Sequence, residues 1–351
     1  MDREISEELI EEAVTNPDNA SPADLSDKTI VYFDQKMWGE LRDARTSTNT
    51  GSLDQLATRS VEEADFVYPF SLENLIETTS ASDTEFKIDV FDLMMELSKN
   101  LSIRNYLNVF DQEAIAYVCE RYELLSEIDT RAYVFGKGTA YAAGEWEIQT
   151  NSDIPEEKMK QVKEEMIKVM RDQEVNRRLL LSRAILDDAP GVSDENREEY
   201  EERYQKNVQQ VGGLLELDDD VERSKYLADV FIKWMMPRVR ECCRDLGLSS
   251  LPLILYDPRQ LSFEAFFREF PAFYTYTNLC FAVDAHTDRG PDFNDVMDIS
   301  QLAVAAPYAD IVVTEKFFGG MLHRFGIGNA FDTVIYQDVA DFSSFLESIL
   351  N

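Results

Sequence analysis

Apolar and polar positions follow two rhythms along this chain. Thr29-Ile30-Val31-Tyr32-Phe33 is a short apolar run of strand length. So is Phe66-Val67-Tyr68-Pro69-Phe70-Ser71, which leads into a helical pattern carrying Glu73 and Glu77. Asp310 to Thr314 and Thr333 to Tyr336 have the same character near the other end. Between these runs the spacing turns helical. Met37, Trp38 and Leu41 follow the first run, and Phe86, Val90, Leu93, Met94 and Leu97 share one face of 86–98. Asp341 to Leu350 reads as a closing helix. Strand, loop and helix in succession predict an α/β fold with a mainly parallel central sheet.

The breaks organise the chain. Residues 1–28 form an acidic arm with a short amphipathic stretch and Asn-Pro-Asp and Ser-Pro breakers. Residues 29–98 are a first half of an α/β core, and 247–351 a second half. The polar stretches Thr46 to Ser52 and Thr78 to Asp83 are loops. From 99 to 246 the chain reads as a mostly helical insertion, serving as a lid or as a surface for a partner or a second copy. Within it Met159, Val162, Met166 and Met170 repeat at helical spacing and are expected in the core. Gly191 to Asn196 is a loop, and Asn196 to Lys206 a solvated helix face. A helix through Tyr226, Val230, Phe231 and Trp234 is expected to end near Pro237. Leu251 to Tyr256 is a further candidate strand. Phe263 to Phe281 is rich in aromatics, which pack the insertion against the core or stack unpaired bases. Arg268 and Arg289 nearby are candidates for phosphate contacts.

The chemistry lies where strands stop. The first run ends on Asp34, and Asp310-Ile311-Val312-Val313-Thr314 ends on Glu315. Asn294-Asp295-Val296-Met297-Asp298 opens a helix. In open α/β sheets, functional groups gather outside the carboxyl ends of the strands. Carboxylates meeting there form a hard oxygen site suited to Mg²⁺ or Mn²⁺. A bound divalent cation lowers the pKa of its water, so hydrolysis of a phosphodiester needs no histidine base. That suits a chain with only two histidines, His286 and His323. Asp34, Glu77, Asp298 and Asp295 are the candidate metal ligands. Glu315 and Thr314 complete the site, with Glu73 in reserve.

This pattern resembles the PIN-domain nucleases, the fold of many toxin–antitoxin ribonucleases. Ile30-Val31-Tyr32-Phe33-Asp34 is similar to the family's first strand and first acid. Ser71-Leu-Glu-Asn-Leu-Ile-Glu77 resembles its second-strand exit, whose spacing favours Glu77 over Glu73. Asp298 to Ala303 and Ala305 to Thr314 are similar to its third acid, its small-residue helix and the Thr closing its fourth strand. Where the family often has Asp after that Thr, this chain has Glu315 and then Lys316. The resemblance covers roughly 29–98 and 290–340. It implies a PIN-like three-layer core, a ribonuclease acting on single-stranded RNA with Mg²⁺ or Mn²⁺, and a toxin or defence role. An antitoxin or a homo-oligomer formed through the insertion would be the protein partner. The alternative is an inactive PIN-like module that binds or scaffolds through its insertion. Two other chemistries are excluded. A haloacid-dehalogenase-like site needs a second Asp two residues after the first, where Lys36 stands. Phe318-Gly319-Gly320-Met321 and Gly326-Ile327-Gly328 match neither a P-loop nor a dinucleotide fingerprint.

Charge changes the picture of the partner. The chain has 351 residues, 68 acidic against 34 basic, and a formal net charge of −34. With 44% hydrophobic residues and 21 Phe it is a folded protein with an acidic surface. Acid spread along the chain, with Arg exceeding Lys, is the pattern of a halophilic, high-salt cytoplasm. Such a surface opposes RNA in dilute buffer. At ~1 M salt, screening acts within about 3 Å and the long-range repulsion largely vanishes. Cys119, Cys242, Cys243 and Cys280 lack zinc-site spacing and are expected to be reduced thiols. No signal pattern and no membrane-length apolar run is present, so a cytoplasmic location is expected.

Overall fold

A computed structural model describes residues 25–46, 52–124, 128–144, 171–186, 220–249, 263–286 and 294–351, with scattered positions at 155–169 and residue 206. The candidate strand Leu251 to Tyr256, Arg289, and the stretches 1–24, 47–51 and 187–205 lie outside them.

Strand β1 (Thr29–Phe33) leads into α1 (Gln35–Thr46) and α2 (Leu53–Glu63), then β2 (Phe66–Val67), α3 (Leu72–Ser80) and α4 (Thr84–Ser98). A hairpin follows. Strands β3 (Leu101–Ile103) and β4 (Phe135–Lys137) pair antiparallel around α5 (Tyr106–Arg121) and α6 (Thr130–Val134). Next come α7 (Thr139–Ala143), α8 (Gln173–Leu186), α9 (Asp220–Val230) and α10 (Met236–Asp245). The chain closes with α11 (Phe263–Phe267), α12 (Pro271–Ala285), α13 (Asn294–Tyr308), β5 (Ile311–Val313), α14 (Lys316–Arg324), α15 (Ile327–Phe331), β6 (Val334–Tyr336) and α16 (Val339–Leu350).

The main sheet is parallel, in the order β2-β1-β5-β6. Alternation along β1 explains its position. Ile30 and Tyr32 enter one apolar core, with α5, α12 and α13. Val31 and Phe33 enter the other, with α1, α2, α4 and α16. A parallel strand covered on both faces is apolar throughout, because helical crossovers shield each side. The architecture is therefore α/β, with helices on both faces of a parallel sheet.

The segment 99–246 is joined to this sheet. Phe70 makes an isolated parallel bridge to Ser102, so β3 runs beside the chain that leaves β2. Phe70 N–H donates to Leu101 O at 3.3 Å, and Ile103 N–H donates to Phe70 O at 2.8 Å. The helices from this segment share the cores: Val109, Phe110 and Val239 on one side, Ala142 and Leu180 on the other.

Two expectations change, and one choice between alternatives is decided. The helix through Tyr226 does not end near Pro237. A π-helical turn, Phe231–Met235, carries it into α10, with Pro237 in the first turn. Proline lacks an N–H and crowds the preceding carbonyl, and a widened turn makes room for it. Val162 is 43% exposed and takes no part in the core. The aromatics of 263–281 are packing groups. Phe267, Phe270, Phe273 and Tyr274 are fully buried, and the Phe231 ring lies 5.1–5.9 Å from Phe266, Phe267, Phe270 and Phe273. Arg268 is held by Glu264 at 3.3 Å. The four cysteines are free thiols.

The turn before β6 is tight. A Cβ on Gly328 would lie 2.7 Å from the carbonyl oxygen of Thr333, a backbone atom that cannot swing aside. Gly328→Ala is expected to cost about 2 kcal/mol by overpacking, read as a lowered thermal unfolding midpoint. An unchanged midpoint would show that the turn can shift.

Candidate functional site

The sheet order brings together residues that are far apart in the chain. With β1 next to β5, Asp34 at the end of one strand meets Thr314 and Glu315 at the end of the other. Asp34 N–H donates to Val313 O at 3.2 Å. The Asp34 carboxylate caps α1, accepting from Met37 N–H at 3.0 Å. Its other oxygen accepts from Glu315 N–H at 2.8 Å. Asp34 is 3% exposed, and burial pushes its carboxyl up to about 6 against the lowering effect of Met37, Thr314 and Glu315. The buried Thr314 hydroxyl favours the charged form of Asp34, yet its oxygen makes no hydrogen bond of good geometry.

Helix α3 brings the next acids. Ser71 caps it through a capping box: Asn74 N–H donates to Ser71 Oγ at 3.1 Å, and Ser71 N–H to Asn74 Oδ1 at 3.0 Å. Glu73 lies in the first turn, and burial raises it above the usual carboxylate range. Glu77 is one turn further on. Burial, then the charges of Asp34 and Glu73, push it up to about 8, and its Oε1 is buried without a partner.

Helix α13 closes the group. Asp295, in its first turn, is fully buried. Asp298 is pushed up to about 9, first by burial and then by Glu77, Asp34, Glu315 and Asp295. Asp34, Glu77, Asp295, Asp298 and Glu315 thus share one electrostatic neighbourhood, and Glu73 adjoins it through Glu77.

A polar floor supports these acids, and most of it was not foreseen. Tyr32 donates to Gln301 Oε1. Asn74 Nδ2 donates to the same oxygen at 3.2 Å, and Gln301 Nε2 donates to Asp298 Oδ1 at 3.1 Å. Gln301 therefore ties α13 to β1 and α3. One signal was legible in part: Gln301 stands three residues after Asp298 on the same helix face. Its partners Tyr32 and Asn74 are set only by the fold.

Among the described residues no group of three or more His, Cys, Asp or Glu is placed to hold a metal ion, and no helix is long and apolar enough to cross a membrane. An open groove lined by Arg45, Asp92, Glu96, Gln173 and Arg177 lies elsewhere, on α1, α4 and α8. Its charged groups are paired with one another, Arg45 with Glu96 at 3.0 Å and Arg177 with Asp92 at 2.7 Å. No protein-family model, curated protein or solved structure matches the chain.

Proposed function

We propose that this protein is a divalent-metal-dependent nuclease of PIN-like design, cleaving single-stranded RNA at the acidic cluster. One observation carries the reading. Asp298 is raised to about 9 by burial and by four neighbouring carboxylates. A fold does not gain stability by pressing unneutralised acids together, so such a group marks a site where a cation belongs.

The donor set fits Mg²⁺ or Mn²⁺, being all oxygen, with Glu77 Oε1 buried and unsatisfied. Asp34, Glu77 and Asp298 would engage a hydrated ion through bridging water, with Asp295 beside them. When bound, the cation supplies charge neutralisation at the phosphate and a more acidic water. The chain supplies the rest. Met37 N–H and Glu315 N–H fix both oxygens of Asp34. Gln301 fixes Asp298. The Thr314 hydroxyl beside Asp34 would orient a carboxylate or the attacking water, and Glu315 borders the cluster.

The test is cleavage of end-labelled single-stranded RNA in molar KCl, with Mn²⁺ or with EDTA, by wild type and Asp34→Asn. Manganese-dependent cleavage is expected, reduced at least a hundredfold by the substitution. A folded wild type that cuts none of several RNAs and DNAs would sink the enzyme reading and leave a binding module.

A further inference from the structure

We propose that Arg104, clamped between the rings of Tyr133 and Tyr141 at the carboxyl edge of the sheet, anchors a phosphate of the substrate. This deepens the nuclease reading and rests on it only for the identity of the anion as part of a nucleic acid.

Arg104 is 7% exposed, and its guanidinium lies 4.5 Å from the centre of the Tyr133 ring and 4.9 Å from that of Tyr141. Its Nε and Nη1 are buried without a hydrogen-bond acceptor. Tyrosine faces satisfy the flat sides of a guanidinium, but its N–H groups point outward in the plane and call for an oxyanion. In this chain that lack is unusual. Acidic residues outnumber basic ones by 68 to 34. Arg42, Arg45, Arg59, Arg131, Arg177 and Arg223 all pair with carboxylates. Among the described residues Arg104 makes no such pair, although burying a lone cation is costly. Burial pushes the Tyr141 phenol up against the lowering effect of Arg104, whose guanidinium hydrogen-bonds it, so that side chain stays neutral and is a partner but not a counter-ion.

Position supplies the second line of support. Register places Thr29 opposite Phe66 and Ile30 opposite Val67, and Phe70 opposite Ser102. Asp34, Ser71 and Arg104 therefore leave the same edge of neighbouring strands. Two strand spacings separate the Arg104 backbone from that of Asp34, about 10 Å. A phosphate held at Arg104 would lie beside the acids and not on them. The anion best matched is a phosphate, whose paired oxygens accept from two guanidinium N–H groups at once. In so acidic a protein, one preserved cation also offsets local repulsion of an incoming strand.

The probe is inorganic phosphate, titrated by calorimetry in EDTA so that cleavage plays no part. Wild type and Asp34→Asn are expected to bind it saturably. Arg104→Gln should lose at least tenfold in affinity, and Arg104→Lys should retain part of it. Absence of saturable binding by wild type, or equal binding by Arg104→Gln, would overturn the anchor. If circular dichroism shows that Arg104→Gln is unfolded, the wild type answers alone. Phosphate should slow modification of Arg104 by 2,3-butanedione, followed by mass spectrometry. An Arg104 that is unmodified, or modified at a rate indifferent to phosphate, overturns the proposal equally. The two readings fail separately. Phosphate binding without RNA cleavage removes the nuclease and keeps the anchor, whereas cleavage without phosphate binding does the reverse.

Discussion

Asp298→Asn is expected to stabilise the metal-free protein while abolishing cleavage. The Asp298 carboxyl rises from an ordinary 3.8 to about 9 in the fold. A raised acid binds its proton more tightly folded than unfolded, so its stabilising protonation is complete below about pH 4 and is lost as pH climbs towards 9. Near neutral and alkaline pH the native state must hold a buried proton or bear a repelled charge, and Asn removes both demands. Because Asp298 is partly exposed, only part of the shift counts, and a gain of about 2 kcal/mol near pH 8 is expected. Asn keeps the oxygen that accepts from Gln301 Nε2. The check is thermal unfolding in EDTA at pH 5 and pH 8 for wild type and variant. The variant's advantage should be small at pH 5 and large at pH 8, and Mn²⁺ at pH 8 should raise the wild type more than the variant. A destabilised variant, or an advantage independent of pH, would show that Asp298 is a structural acid.

Glu113→Ala should be among the most damaging single changes in the chain. Glu113 on α5 is 1% exposed and reaches the start of α12. It accepts from Ala272 N–H at 2.5 Å, from Phe273 N–H at 3.2 Å and from the Tyr308 hydroxyl at 2.8 Å. Helix α12 begins at Pro271 without a side-chain cap of its own, so a carboxylate from another helix does that work and gains from the helix dipole. Truncation leaves two backbone N–H groups and a phenol buried and unpaired, a loss of about 4 kcal/mol. Glu113→Gln keeps an acceptor and should cost roughly half as much. Burial holds the Glu113 carboxyl up at about 7 against these three donors. Its contribution to stability therefore falls between about pH 4.5 and 7 in the wild type, and that slope should be missing in Glu113→Gln. Denaturant unfolding across that range is the check. An Ala variant within 1 kcal/mol of wild type would show that water or another residue replaces the cap.

Much of the sheet was legible. The runs at 29–33, 66–67, 311–313 and 334–336 are strands, because apolar side chains on both faces suit a sheet covered on both sides. The acids at strand ends could be picked out for the same reason: a charge directly after a buried run must have a purpose or a partner. For Asp34 the partners proved to be two backbone N–H groups. The hairpin of β3 and β4 was missed, since three-residue strands among helices leave no period to read. Glu113 carried no signal, because its helix is defined by apolar spacing and its partners lie 159 to 195 residues away.

The sequence by itself determined the four strands of the main sheet with their two apolar faces, the helices that flank them, the acid excess and the carboxylates at strand ends. These are local properties, set by side-chain periodicity and by where an apolar run stops. Only the tertiary structure decided that β1 lies beside β5, which joins Asp34 to Glu315 across 281 residues. It alone placed Asp298 among four other carboxylates, joined β3 to the chain leaving β2, and set Arg104 against two tyrosine rings. Strand order and burial are collective outcomes of packing two cores, and pKa values follow from burial and from distances that no local pattern encodes.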